Sequence, residues 1–379
     1  MTRPLDLATV ETPVAVVELS RVRENADRVV AYAREHGLSW RPHVKTHKSR
    51  GIARLQLEAG ARGLTVATLH EAEVMSTVCD DLLLAYPPVG SAKLDRLVRL
   101  PETVRLSVAL DAPEVLYPLS RAVREAGRSV DVLVELDVGL RRVGIPDPAE
   151  AARLAAEITE LPGVSFKGLL FYAGHIRSPG PEQDRDMEGL ARTLERSYEA
   201  LEARGLRADV VSGGTTPTLW RSHELPGLTE IRPGTCIYND RDAVAQGAAT
   251  PDHWAYSVLA TVVSTRVPGR AAVDAGSKAL AKEARGGAGF GVVLEHPEVT
   301  VTALSEEHGM LDLTGSDWRP RVGDRVRVVP NHVCVSVNLQ DRIVVVDGAR
   351  VEAWPLEGRG RGPWFETEDS NGTRTTWTR

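Results

Sequence analysis

Nine residues, RPHVKTHKS at 41–49, place His43 and His47 on either side of Lys45 in a chain with 10 histidines. A lysine flanked by groups that depress its pKa becomes a nucleophile toward carbonyl carbons and suits Schiff-base chemistry. A second cluster, SGGTT at 212–216, carries Gly213, Gly214 and Thr215. Two residues without side chains leave backbone N–H groups free to cradle a phosphate, and the Thr215 hydroxyl adds a donor. A third, PNHVC at 330–334, sets His332 and Cys334 two apart. On a strand, such residues share a face, and imidazole with thiolate can hold zinc. Each cluster also has a plainer reading: a solvated basic turn, a Gly-rich connection, a buried cysteine beside a packed histidine.

The elements that must carry these residues favour the chemical readings. Short apolar runs at 39–44, 63–67, 81–86, 105–110, 130–137, 165–172, 209–213 and 229–232 alternate with amphipathic stretches such as 91–100 and 182–203. Ser91 is placed to cap the first of these helices. Eight strand–helix units at this spacing predict a parallel (β/α)8 barrel of TIM type. An open doubly wound sheet is the alternative, but no GxGxxG follows the first strand. Barrel enzymes place their active sites at the C-terminal strand ends. Lys45 lies at one such end, Asp137, Gly139 and Arg142 at another, Tyr172 and His175 at a third, and SGGTT at a fourth. A reactive lysine and a phosphate cradle in one barrel mouth point to pyridoxal 5'-phosphate. The run 13–19 does not fit the count of eight and is expected to pair outside the barrel. Beyond 250, valine-rich runs at 256–265, 270–274, 324–329 and 342–346 predict a smaller C-terminal all-β domain. The expected division is 20–245 for the barrel, 1–19 plus 246–357 for the β-domain with the metal pair, and 358–379 for a loose tail.

Composition narrows the class. With 46 Lys and Arg against 52 Asp and Glu, the net charge is −6, which argues against general binding to nucleic acid or anionic membrane. Cys79, Cys236 and Cys334 are an odd, dispersed set that does not suggest a disulfide framework. No signal-peptide core opens the chain, and no apolar run approaches the length of a membrane span. The expectation is a soluble, cytoplasmic protein.

RPHVKTHK, DxGxxRxG (Asp137 to Gly144), the Tyr172 region, SGGTT, EIRPGT, VDAGSK, EEHG and PNHVC occur in this order. Together they resemble the D-threonine aldolase and D-serine dehydratase family of fold-type III, alanine-racemase-like enzymes, over residues 10 to 355. The resemblance implies that Lys45 carries pyridoxal phosphate as a Schiff base. Arg142 would face the pyridine nitrogen and Tyr172 would lie near the ring. Gly213, Gly214, Thr215, Gly234 and Thr235 would hold the phosphate. His332 and Cys334 would bind a divalent metal near the substrate β-hydroxyl, zinc favoured and manganese the alternative. One departure is Gly234-Thr235-Cys236, where several relatives read Gly-small-Tyr; Cys236 reads as a small core residue. Asp274 and Lys278 read as structural, and EEHG as reaching the cavity, a subunit boundary or a buried polar position. The His-x-Cys pair and KTHK look like the D-serine dehydratase branch. That implies β-elimination of a D-3-hydroxy amino acid to a 2-oxo acid and ammonia. Retro-aldol cleavage to glycine and an aldehyde is the alternative. Racemisation would leave the metal pair without a purpose, and a cofactor carrier would leave the whole β-domain without one. The resemblance also implies a homodimer.

Overall fold

The computed structural model describes residues 5–177, 179–284, 289–362, 366–368 and 374–376. The first strand, β1 (Val14–Glu18), leads into a helix, Leu19–Glu35, whose buried Val22, Ala26, Val29, Val30 and Ala33 recur at helical spacing. Eight parallel strands follow: β2 (Ser39–Trp40), β3 (Leu64–Val66), β4 (Asp81–Leu84), β5 (Arg105–Leu110), β6 (Val130–Leu136), β7 (Val164–Phe171), β8 (Val210–Gly213) and β9 (Glu230–Ile231). They lie in the order β2-β9-β8-β7-β6-β5-β4-β3. The seam between β2 and β3 closes through a bridge from His43 to Thr65 and the bond from Thr65 N–H to the Pro42 carbonyl, 2.9 Å. This is the expected TIM-type barrel, with helices between most strands.

The first barrel strand is shorter than the run 39–44. Pro42 has no N–H to give the ladder, and Val44–Thr46 tightens into a 3-10 turn carrying Lys45. The helix expected from 91 spans Ser91–Val98, but its cap is Gly90, so Ser91 is its first residue rather than its cap.

Two kinds of packing fill the barrel. Leu83, Ala109, Leu133 and Leu170, one from each of β4 to β7, form an apolar cluster. The β2, β8 and β9 side holds a polar network instead. Arg41 Nε donates to Glu230 at 3.0 Å and its Nη1 to Asp81 at 2.5 Å, and Ser212 donates to Glu230 at 2.6 Å. Arg41 thus ties β2 to β9 and to the start of β4, across the seam.

β1 leaves the barrel at once. It pairs antiparallel with Tyr256–Ser264 and parallel with Arg342–Asp347. Tyr256–Ser264 also pairs with Arg325–Pro330 and Arg270–Val273. Gly309–Asp312, His296–Leu304 and Gly291–Val293 complete the ring back to Arg325–Pro330, so six strands close a small antiparallel barrel. The sequence reading did not include these last three strands or Arg350–Pro355. Their signal was the alternation of Val299 and Val301, both fully buried, in EVTVTAL.

The segment expected to be loose from 358 begins fastened. Gly358 N–H donates to the Lys48 carbonyl at 2.8 Å, and Arg359 donates to the Asn338 carbonyl. Two short strands, Glu366–Glu368 and Arg374–Thr376, pair with each other, and the remainder of the segment lies outside the described residues. No described helix is long and apolar enough to cross a membrane.

Replacing Arg41 with Met should leave the buried Glu230 carboxylate without its cation and remove one of the two cations, Arg41 and Arg105, that pair with Asp81. We expect a loss of about 3–5 kcal/mol, read as a lower denaturant midpoint at unchanged m-value. A second test concerns His47, which is fully buried. Burial depresses its pKa to about 3, against the pull of Gln56 and the Ser49 amide. Protonation therefore opposes folding. The stability is complete above pH 6.5 and declines toward pH 3, by up to about 1.4 kcal/mol per pH unit. His47→Asn should flatten that slope; an identical slope between pH 6 and 4 would refute the assignment.

Candidate active site

The C-terminal ends of the strands surround a cavity of about 410 Å³. Lys45, on the 3-10 turn after β2, lines it with Arg142, Tyr172, Gly214, Thr215, Gly234 and Thr235. The Lys45 ammonium stands 5.7 Å from the Tyr172 ring centroid, and the Arg142 guanidinium 4.8 Å from the same ring. Seven of the expected residues therefore meet at one mouth. Gly213 does not line it. A methyl group there would lie 2.1 Å from the Phe171 ring, so Gly213 serves packing at the end of β8.

The two glycines on the wall have conformational reasons. Gly214 has φ +79°, a left-handed backbone open to glycine. A methyl on Gly234 would lie 2.5 Å from the His43 carbonyl and 2.9 Å from Thr46 Oγ1. The hydroxyl of Thr215 meets that of Thr218 at 2.9 Å. Cys236 is buried beneath this wall and its thiol is pushed up to about 12 by burial, the core residue expected.

The electrostatics are strongly cationic. Burial lowers the Lys45 pKa, and Arg142 and Arg232 lower it further, against Cys334 and Glu71. Arg232 was missed in the sequence although it lies in EIRPGT. It is 7% exposed, lines the cavity, and burial brings it down to about 10. One of its guanidinium nitrogens donates to the Phe171 carbonyl, while its Nε has no protein partner among the described residues. Glu135 is the carboxylate on the wall. Burial raises its pKa, although Arg232 and Arg142 pull the other way. His43 is held well below the usual imidazole range by burial and by Lys45, Arg232 and Lys48, so it is neutral. Its Nδ1 is buried without a partner among the described residues.

The pair His332 and Cys334 does not sit on a strand. His332 caps a short helix, Val333–Asn338, and Cys334 is that helix's second residue. The same-face argument therefore fails, yet the pair forms. Burial raises the Cys334 thiol, but His332, the Thr46 hydroxyl and Lys45 together bring it down to about 7. Burial lowers His332, but Cys334 and Asp240 raise it to about 10. Cys334 Sγ lies 3.2 Å from Thr46 Oγ1 and 3.6 Å from Thr235 Oγ1. The pair thus stands directly behind two residues of the cavity wall. Among the described residues, no group of three His, Cys, Asp or Glu is arranged to hold a metal.

The other motifs lie elsewhere. Asp274 accepts from Thr12 and from the Thr261 amide, a structural role. Lys278 pairs with Glu307 on the surface, and Glu306, Glu307 and His308 are exposed.

This geometry fits the implied groups. Unpartnered buried nitrogens on Arg232 and His43, a cationic wall, a left-handed glycine at 214 and a glycine at 234 with no room for a side chain suit an anionic, phosphorylated cofactor. Imidazole beside a depressed thiol suits a borderline-soft divalent ion.

Comparison with known proteins agrees. Residues 17–242 match the family model of the alanine racemase N-terminal domain, and residues 255–346 match that of the serine dehydratase domain. The chain is 35% identical to D-threonine aldolase of Arthrobacter sp, covering 93% of this chain and 94% of the relative. It is 32% identical to D-threo-3-hydroxyaspartate dehydratase of Delftia sp. (strain HT23), covering 87% and 92%. The crystal structure of D-threonine aldolase from Filomicrobium marinum superposes with a TM-score of 0.88 at 30% identity, over 94% of this chain and 99% of that one. D-threo-3-hydroxyaspartate dehydratase has also been solved as a histidine-to-alanine variant (TM-score 0.83, 29% identity, 93% and 96% covered). A cysteine-to-alanine variant of it, two positions further on, is in the metal-free form (TM-score 0.82, 29% identity, 93% and 99% covered). With a barrel, a β-domain and a site of this kind, the chain belongs to the D-threonine aldolase and D-serine dehydratase family of alanine-racemase-like lyases.

Proposed function

We propose that this protein is a pyridoxal-phosphate- and divalent-metal-dependent lyase that eliminates water from a D-3-hydroxy amino acid, releasing a 2-oxo acid and ammonia. The observation that carries the reading is Cys334, a depressed thiol paired with His332 and touching Thr46 next to Lys45. The dehydratase solved metal-free when a cysteine is replaced supports it.

Pyridoxal phosphate, when bound, supplies a sink for charge developing at the substrate Cα. A metal, when bound, supplies Lewis acidity that makes the β-hydroxyl a better leaving group. The chain's own residues do the rest. Lys45 would hold the cofactor, and its lowered pKa suits its amine to accept the Cα proton near neutral pH. The backbone at Gly214-Thr215 and Gly234-Thr235 would hold the phosphate. Arg142 and Arg232 both reach the cavity, and either one facing the ring nitrogen would disfavour its protonation. Elimination then depends more on the leaving group, which a metal held by His332 and Cys334 would activate. A thiolate favours zinc over harder ions, with manganese the alternative. The working form in this reading is a homodimer, the assembly that the family resemblance implies.

A second reading, retro-aldol cleavage, is supported by the 35% identity to D-threonine aldolase. Product identity separates the two. The protein, supplied with pyridoxal phosphate and zinc or manganese, should convert D-serine or D-threonine to a 2-oxo acid and ammonia. Glycine with acetaldehyde from D-threonine would replace this reading with the aldolase. Conversion to the L-enantiomer alone would leave the metal pair unexplained and reject both. Cys334→Ala should abolish metal dependence and lower turnover at least about 100-fold.

The cationic wall makes a separate prediction. Arg142→Met removes a positive neighbour, so the Lys45 pKa should rise. Capture of pyridoxal phosphate by the apo-protein, followed by Schiff-base absorbance, should then shift its midpoint to higher pH. An unmoved midpoint would show that Arg142 does not act on Lys45.

A further inference from the structure

We infer that Asp240 is a positioning residue for the metal pair: it fixes His332 as the Nδ1–H tautomer and leaves Nε2 as the nitrogen that can ligate a divalent cation. The inference rests on the metal-dependent reading above.

Asp240 is fully buried, and its carboxylate lies at the end of the segment that begins with Gly234 and Thr235 on the cavity wall. Its Oδ2 lies 3.2 Å from His332 Nδ1 and accepts from Val333 N–H at 3.0 Å. Its Oδ1 accepts from Ala243 N–H at 2.8 Å. Amide donors thus occupy both oxygens, which holds the carboxylate as an acceptor. An acceptor-only neighbour leaves His332 Nδ1 no choice but to donate. A neutral imidazole that donates from Nδ1 offers its lone pair at Nε2. The Val333 amide strengthens the grip. The same carboxylate oxygen fixes both the ring and the backbone that follows it, and so sets the start of the helix bearing Cys334.

The other half of the pair is held from the same segment. Thr235 Oγ1 lies 3.6 Å from Cys334 Sγ, which also lies 3.2 Å from Thr46 Oγ1. Residues 235 and 240 therefore address one prospective ligand each. Nothing in the sequence marked Asp240. Asp240 lies beyond EIRPGT, and its other role, capping the helix Arg241–Ala245, is an ordinary one for an aspartate.

Asp240→Asn isolates the role. Asparagine caps a helix as well as aspartate does, and its carbonyl oxygen can accept from Ala243. Its amide can also donate, so the constraint on the His332 tautomer is lost. Zinc affinity of the pyridoxal-phosphate-loaded protein, measured by competition with a chromogenic chelator, should fall about 10–100-fold. Because asparagine has one oxygen for the Ala243 and Val333 amides, the thermal midpoint of the metal-free protein should fall by a few degrees, and the Schiff-base absorbance should be unchanged. With 15N-histidine label, zinc-loaded wild type should show His332 protonated at Nδ1 alone, and the zinc-loaded Asp240→Asn protein should lose that single pattern. Asp240→Glu keeps the acceptor and should recover part of the affinity. If wild type binds zinc and Asp240→Asn binds it within about twofold, Asp240 does not position His332, while the metal reading stands. If wild type binds neither zinc nor manganese, the metal reading fails and this inference falls with it.

Discussion

The crowding of cations around one small cavity constrains everything else in this site. Lys45, Arg142 and Arg232 line it together, and Glu135 is the carboxylate on the same wall. Like charges in a medium of reduced dielectric repel strongly. The protein relieves part of that cost by lowering the pKa of Lys45 and keeping His43 neutral. The remaining positive field is best satisfied by an anion. A phosphorylated cofactor and an amino-acid carboxylate are both anions. The arrangement therefore accounts at once for a reactive lysine and for its ligands.

Holding such a site requires a stiff frame, and the strain is visible next to the functional residues. Lys48, Arg141 and Asn239 adopt left-handed backbone at φ 54°, 57° and 53°. They lie near Lys45, beside Arg142 and beside Asp240. Non-glycine residues keep such conformations only where their surroundings over-determine them. For Lys48 the surroundings are explicit. Its ammonium is buried against Glu71 at 2.6 Å, its carbonyl accepts from Gly358, and Glu71 also accepts from the Ala67 amide on the cavity wall. The turn that carries Lys45 is thus pinned by the neighbouring strand end and by the end of the second domain.

What could be read in the sequence follows from which interactions are local. Strand alternation and the spacing of strand ends are local, so the barrel and the meeting of Lys45, Arg142, Tyr172 and Gly214 were legible, while Gly234 followed from the family resemblance. Arg232 and Asp240 were not, because each acts through partners far along the chain. Arg232 depends on Glu135 and the Phe171 carbonyl, and Asp240 on His332. The His332–Cys334 pair was found for the wrong local reason. Two residues share a face on a strand by geometry alone; here a cap and the second position of a helix converge because Asp240, Thr46 and Thr235 place them. The β-domain was half legible, since His296–Leu304 carries Pro297, which argues against a strand in isolation.

The path of the chain explains why a second domain is needed at all. A barrel mouth built from eight strand ends can supply the lysine and the phosphate cradle. The His332–Cys334 pair instead comes from the β-domain, immediately after Arg325–Pro330, with Cys334 docked against Thr46 beside Lys45 and Thr235 beside Gly234. Movement of the cofactor wall would move the ligands, and displacement of the ligands would press on Lys45. Two sites joined through shared buried contacts are coupled in free energy, and that coupling is reciprocal. Occupation of the metal pair and of the lysine pocket should therefore be read as one equilibrium in this protein. In the proposed reading, the choice between elimination and cleavage would lie with the metal pair and its supports rather than with Lys45, which both reactions would use.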